Sequence, residues 1–309
     1  MLTRIVPLVG FIGLGVLFRL RNLLSEKTID QLKWLIVHVL LPGVLFKTFL
    51  LARLDPRLTL VAAAVFGINV VMYAVGLLLS RGLKHGGRYA QFLTCGMEYG
   101  MLGLALFTSL YGLAKVEYIA VVDLGHEIFF WFLFVPVFSS REEGRKGIPF
   151  KSMITSPINL AILAGLALNL SGLSGSLSLS LVGQGIVSLC DMMGAAIGPL
   201  ILMVIGYGLR FARRAGTDVL WTLLTRFALA AAGAYLVGNI LIAQVLQWSS
   251  GYTVAVWLLF MTAPSFSVPV FARPRTDQEH AYISSTIALY TIVTFVAAAV
   301  ILTVSPVLA

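Results

Sequence analysis

Charge is what this 309-residue sequence has least of: 11% of its residues are Asp, Glu, Lys or Arg, against about 25% in ordinary soluble domains. That is too little polar surface to coat a water-exposed globule, which excludes a soluble protein and points to a helical integral membrane protein. Cysteine is nearly absent, with two residues in all. Cys95 and Cys190 lie inside apolar stretches and lack the spacing of a metal site or a secreted disulfide framework, so both are read as buried thiols. Strand-length alternation around short turns is missing too, although five Trp, ten Tyr and nineteen Phe are present, and this argues against a porin-like barrel. There is no phosphate-cradling Walker loop and no acidic metal-binding pair, as an ATPase or a lipid-modifying enzyme would need.

What the chain has instead is apolar length: 59% of its residues are hydrophobic and its mean hydropathy is +0.95. A membrane-spanning helix needs about 20 mostly apolar residues, and ten such windows are found. They cover 4–20, 29–51, 58–80, 89–111, 117–138, 154–171, 181–209, 218–246, 252–273 and 280–305. Arg4 ahead of an apolar run resembles a leader, but no small-residue cleavage site precedes Arg19 and Arg21, so the first window is expected to remain as a helix. The net charge of +9 comes from basic residues gathered at the ends of these windows, which reads as membrane orientation and not as a nucleic-acid surface. Alternate loops, at 19–33, 81–88, 141–151, 210–214 and 273–275, hold sixteen of the twenty-two Lys and Arg residues. Because positive charge is retained on the cytoplasmic side, both termini are expected outside, in a multi-pass protein of the plasma (inner) membrane.

Ten helices split into two groups of five place the second group upside down relative to the first. The expected organisation is a first five-helix repeat over 1–138, a cytoplasmic basic linker over 139–153 and a second, inverted repeat over 154–309. Paired interruptions support it. HVLLPGVLF around Pro42 in the second window matches AAIGPLILMVIG around Pro199 in the seventh, and GMEYGMLG (96–103) in the fourth matches TAPSFSVP (262–269) in the ninth. Gly- or Pro-interrupted helices at corresponding places in two halves point to an inverted-repeat transporter, although Gly and Pro are also simply common in membrane helices.

Three stretches carry a family resemblance. VGFIGLGVLFRLRNLLSEKTIDQLKWLIVHVLLPGVLF (9–46), EYGMLGLALF (98–107) and APSFSVPVFA (263–272) resemble the opening and the two crossover segments of the auxin efflux carrier family, which includes plant PIN-type and bacterial malonate-type carriers. The resemblance runs over nearly the whole chain, through short hydrophobic motifs. It implies an all-α membrane fold of ten helices in a five-plus-five inverted repeat. Helices 1, 2, 6 and 7 would form a scaffold that often dimerises; helices 3–5 and 8–10 would form a transport domain in which helices 4 and 9 are broken and cross at mid-membrane. Glu98 stands where the family usually has Asn, and Ala105 where it usually has Pro, so the first break would rest on Gly96, Gly100 and Gly103.

Acidic side chains near a bilayer centre cost about 2.5 to 3.5 kcal/mol each, so each invites a functional hypothesis. Glu98 lies about 14 Å into its window and Pro264 about 18 Å into its own, so the two breaks could meet near the midplane. Half-helix N-termini there would suit an anionic substrate, with Tyr99, Gly100, Pro264, Ser265, Ser267 and Pro269 beside it. Glu98 is expected to bind a proton during the cycle, either coupling transport to protons or staying neutral as an Asn-like hydrogen-bonder. Two other readings remain open, a neutral Glu bonded to a backbone carbonyl and a counter-ion for a cationic substrate. Asp123, His126 and Glu127 share one helix face and could relay protons or bind a cation, or could simply be hydrated. They lack the two His of a zinc-protease motif, and no metal or other cofactor is expected. Asp191 is deep in the seventh window with His38 as a candidate partner. His38 itself precedes Pro42 by four residues and is read as packed or backbone-bonded. A cavity near Pro42 and Pro199 could be lined by Asn69, Tyr73 and Asn239.

Gly172-Leu173-Ser174-Gly175 fits the GxSG pattern of membrane serine proteases, but the only later histidine, His280, sits at a helix boundary, so no enzyme is expected. The function expected is secondary transport of a small organic anion, auxin-like or another carboxylate, by an elevator movement. The expected partners are that anion, the lipid bilayer and a second copy of the chain. A sodium or proton antiporter, or a sodium-coupled bile-acid-type symporter, is the alternative, and a receptor is the third class.

Overall fold

The computed structural model describes residues 2–51, 56–84, 87–111, 115–142, 157–208 and 216–304. Most of the basic linker lies outside the described residues. Those residues fold into helices and carry no strand. In chain order the helices are α1 (Leu2–Leu20), α2 (Glu26–Leu50), α3 (Pro56–Ser80), α4 (Gly87–Thr94) and α5 (Leu104–Tyr111). Next comes α6 (Val116–Phe129), which continues through Phe130–Phe134 into Val135–Glu142. After it come α7 (Pro157–Leu170), α8 (Leu173–Leu179), α9 (Leu181–Gly208) and α10 (Thr217–Ala234), which continues through Tyr235–Val245. The last three are α11 (Ser250–Phe260), α12 (Ser267–Phe271) and α13 (Asp277–Val304).

Six of these are long and apolar enough to cross a membrane: Glu26–Leu50, Arg57–Ser80, Tyr118–Glu142, Leu181–Gly208, Thr217–Val245 and Asp277–Ile301. Shorter apolar helices at Gly10–Leu20 and Leu160–Leu170 fall in the first and sixth windows. The fourth and ninth windows each hold an interruption, at 95–98 and at 261–266.

Local chemistry explains where several elements start and how they tolerate proline. The Ser25 hydroxyl accepts the Thr28 N–H at 3.1 Å, and Glu26 places negative charge in the first turn of α2, where the helix dipole favours it. Ahead of Pro42, α2 widens to a π-turn over Ile36–Leu40, with the Leu41 N–H donating to the Ile36 carbonyl. A proline removes one N–H and crowds the carbonyl four residues back, and the wider turn relieves that crowding without ending the helix. The same device precedes Pro136, where the Val135 N–H reaches the Phe130 carbonyl.

The chain divides into two compact units. The smaller comprises Val6–Leu54 and Gly147–Tyr207. In it α1 and α9 approach backbone to backbone: a Cβ placed on Gly15 would lie 2.0 Å from the Met203 carbonyl oxygen, and one on Gly206 would lie 2.0 Å from that of Ile12. Small residues are what permit such contact between membrane helices. α7 closes on α2, where the Asn169 side-chain amide donates to the Phe49 carbonyl at 3.0 Å. Large apolar side chains such as Leu179, Leu181 and Val182 remain exposed, as a lipid-facing surface requires.

The larger unit comprises Met1–Ile5, Asp55–Lys146 and Gly208–Ala309. Its core is aromatic around α4 and α6, where Phe92 meets Phe134 and Phe138 edge-on with ring centroids 5.3 and 4.6 Å apart. This packing buries the polar chain between α4 and α5 that forms the candidate site.

Candidate functional site

The first interruption follows from one backbone angle. α4 stops at Thr94, and Gly96 adopts φ +67°, a left-handed conformation that glycine reaches at no steric cost. The next three N–H groups would be orphans in an apolar core, and each has a partner. The Gly96 N–H donates to Asn69 Oδ1 at 3.2 Å, that of Met97 to His126 Nε2 at 2.9 Å, and that of Glu98 to the Ala263 carbonyl at 2.9 Å. Asn69 is fully buried and also donates from Nδ2 to the Val65 carbonyl at 2.9 Å, so its amide is fixed at both ends.

The second interruption separates α11 from α12. Its Ala263 carbonyl receives Glu98, and its Phe266 N–H donates to Glu98 Oε2 at 2.6 Å. Glu98, 4% exposed, is therefore bound to the second break by both backbone and side chain. The Ser265 hydroxyl accepts the Ser267 N–H at 3.2 Å and serves as a local cap.

One buried cation joins the two interruptions from a third element. Arg226 on α10 is fully buried and its guanidinium donates to the carbonyls of Leu93, Thr94, Cys95 and Gly96 at 2.8 to 3.4 Å and to that of Thr262 at 2.9 Å. The face of Tyr290 lies 4.9 Å from the guanidinium carbon. Those carbonyls include the end of α4, which has no following helical turn to satisfy it.

Beside the first break sits the trio on α6. The Met97 N–H can only donate, so His126 Nε2 is an acceptor; the ring proton is then on Nδ1, which donates to Asp123 Oδ1 at 2.9 Å. His126 is thus a neutral imidazole oriented by a carboxylate. Glu127 Oε2 accepts the Trp131 indole N–H at 2.6 Å. The ligand atoms of the trio lie within 4.8 Å of one another, but the imidazole lone pair a metal would use is taken by Met97.

The residues expected from sequence are thus sorted. Glu98, Pro264, Ser265, Asn69, Asp123 and His126 are buried in the larger unit, with Glu98, Asn69 and His126 bonded to the breaks. Tyr99 and Gly100 lie on the π-turn Tyr99–Gly103 that follows, whereas Pro269 is exposed on α12. Pro42 and Asp191 belong to the smaller unit. Asp191 pairs with Lys47 and not with His38, a correction to the sequence reading. His38 bonds the Trp34 carbonyl at 3.0 Å and stacks on the Trp34 ring. Tyr73 packs edge-on against Phe92, and Asn239 accepts the Trp257 indole N–H at 2.8 Å. Cys95 and Cys190 are free and buried, as expected.

Arg226 is the residue that sequence reasoning passed over. An arginine inside the apolar run 218–246 meets the same test that singles out Glu98.

Six apolar spans, with ionisable side chains enclosed at two helix interruptions, fit a helical membrane protein. Compared with known proteins, the sequence matches no family model and no curated protein.

Proposed function

We propose that the chain is a multi-pass secondary transporter for a small organic anion, with the two helix interruptions as its substrate site and Glu98 as its proton-binding group. The observation that carries this reading is the Glu98 carboxylate held on the Phe266 N–H. A backbone N–H at the second break that donates to one carboxylate oxygen suits another. Protonation makes Glu98 a weaker acceptor and frees that donor, so substrate carboxylate and proton enter together. Neutralising Glu98 also removes the repulsion it would exert on an anionic substrate.

The wider architecture proposed is ten spans in a five-plus-five inverted repeat, with the fourth and ninth crossing at mid-membrane and both termini outside a plasma (inner) membrane. The division into a unit holding the first, second, sixth and seventh windows and a unit holding the rest supports a scaffold and a moving transport domain. Elevator movement of the second against the first, in a homodimer joined through scaffold helices, is the mechanism proposed.

The cluster of Asp123, His126 and Glu127, whose ligand atoms lie within 4.8 Å of one another, favours one second reading, a proton antiporter. Currents from purified protein on a supported membrane separate the two. A panel of carboxylates that includes indole-3-acetate and malonate, with and without sodium and across pH, is expected to give a saturable current from one carboxylate. Currents evoked by pH or sodium alone, with none from any carboxylate, would overturn the anion reading.

A further inference from the structure

Arg226 is the largest fully buried side chain among the described residues, and its surroundings are those of a bound ion. Its two terminal nitrogens face five backbone carbonyls drawn from two separate segments, four from Leu93 to Gly96 and one at Thr262. Helix ends and unwound backbone expose carbonyl oxygens with partial negative charge, and in membrane proteins such groups coordinate sodium or other monovalent cations. Among the described residues no carboxylate forms an ion pair with Arg226, so its charge is balanced by carbonyl dipoles and the Tyr290 ring face.

We propose that Arg226 is a tethered cation filling a carbonyl cage shared by the two helix breaks, in the role a dissolved monovalent cation would otherwise fill. The breaks then assemble without sodium or potassium, and a carrier built on them is not driven by sodium through this cage. Removing the side chain turns the cage into an empty cation site. The inference concerns assembly of the breaks and does not require that the chain transport anything.

Thermal unfolding of the purified full chain tests it, in choline, sodium and potassium chloride at equal ionic strength. Wild-type Tm is expected to be the same in all three. Arg226→Ala is expected to lose on the order of 10 °C, because five buried carbonyls lose their donors. Millimolar methylguanidinium, sodium or potassium should restore Tm saturably, while choline, too large for the cage, should not. Arg226→Lys keeps the charge with fewer donors; it should fold with a reduced Tm and respond to none of the cations.

A saturable sodium stabilisation of the wild type would overturn the inference, whatever the variants do. So would an Arg226→Ala protein that matches wild type in Tm, or one that no small cation restores. Absence of any carboxylate current sinks the transport proposal and leaves the cage intact, whereas sodium stabilisation of the wild type sinks the cage and leaves anion transport standing.

Discussion

Three side chains hold the first interruption open, and each does so by taking a backbone group that an unbroken helix would have satisfied. Asn69 takes the Gly96 N–H, His126 that of Met97, and Arg226 the carbonyls from Leu93 to Gly96. Asn69→Leu keeps the volume and removes both ends of the amide, leaving a buried N–H without its acceptor. A loss of about 1–3 kcal/mol is expected, read as a lowered Tm of the purified protein. Glu98→Gln differs in kind: its side-chain oxygen still accepts the Phe266 N–H, so stability should change little while the proton-binding group is gone. Transport by this variant should lose its pH dependence, and an unchanged pH profile would remove Glu98 from the proton step. Lone charges were legible in the sequence because an acid in an apolar window is costly, and that rule found Glu98. Partners were less legible. Asp191 pairs with Lys47, and contact between residues 144 positions apart leaves no mark in local spacing.

At the scale of elements, hydropathy identifies the apolar windows and is blind to whether their backbone is helical. The windows at 89–111 and 252–273 are apolar enough to be read as spans, yet each holds an interruption. Gly96 and Pro264 hinted at the breaks, but the bonds that sustain them come from α3, α6 and α10. The π-turns were equally hidden: Pro42 and Pro136 announce a local problem, and a widened turn is only one of its solutions. Helix contact through small residues is simpler to test. Gly15→Ala puts a methyl 2.0 Å from the Met203 carbonyl oxygen, a distance the two backbones cannot tolerate without parting. A destabilisation of about 1–3 kcal/mol is expected in thermal unfolding, whereas Gly10→Ala, with open space around it, should be neutral.

For the whole molecule, composition alone carried the class. So few charged residues and so much apolar length fit helices placed in lipid, and exposed Leu and Val side chains on both units agree with that placement. Of the paired Gly and Pro interruptions, Pro42 and Pro199 fall in the smaller unit, and 96–103 and 262–269 in the larger. Sidedness rests on basic loops, several of which fall outside the described residues. The central claim is that the chain carries a carboxylate by alternating access, and trans-stimulation tests it most directly. Proteoliposomes are preloaded with the unlabelled carboxylate that gives the largest current, and uptake of the labelled form is followed. Preloading is expected to accelerate labelled uptake severalfold, because a loaded carrier returns faster than an empty one; equal uptake with and without preload would contradict a carrier.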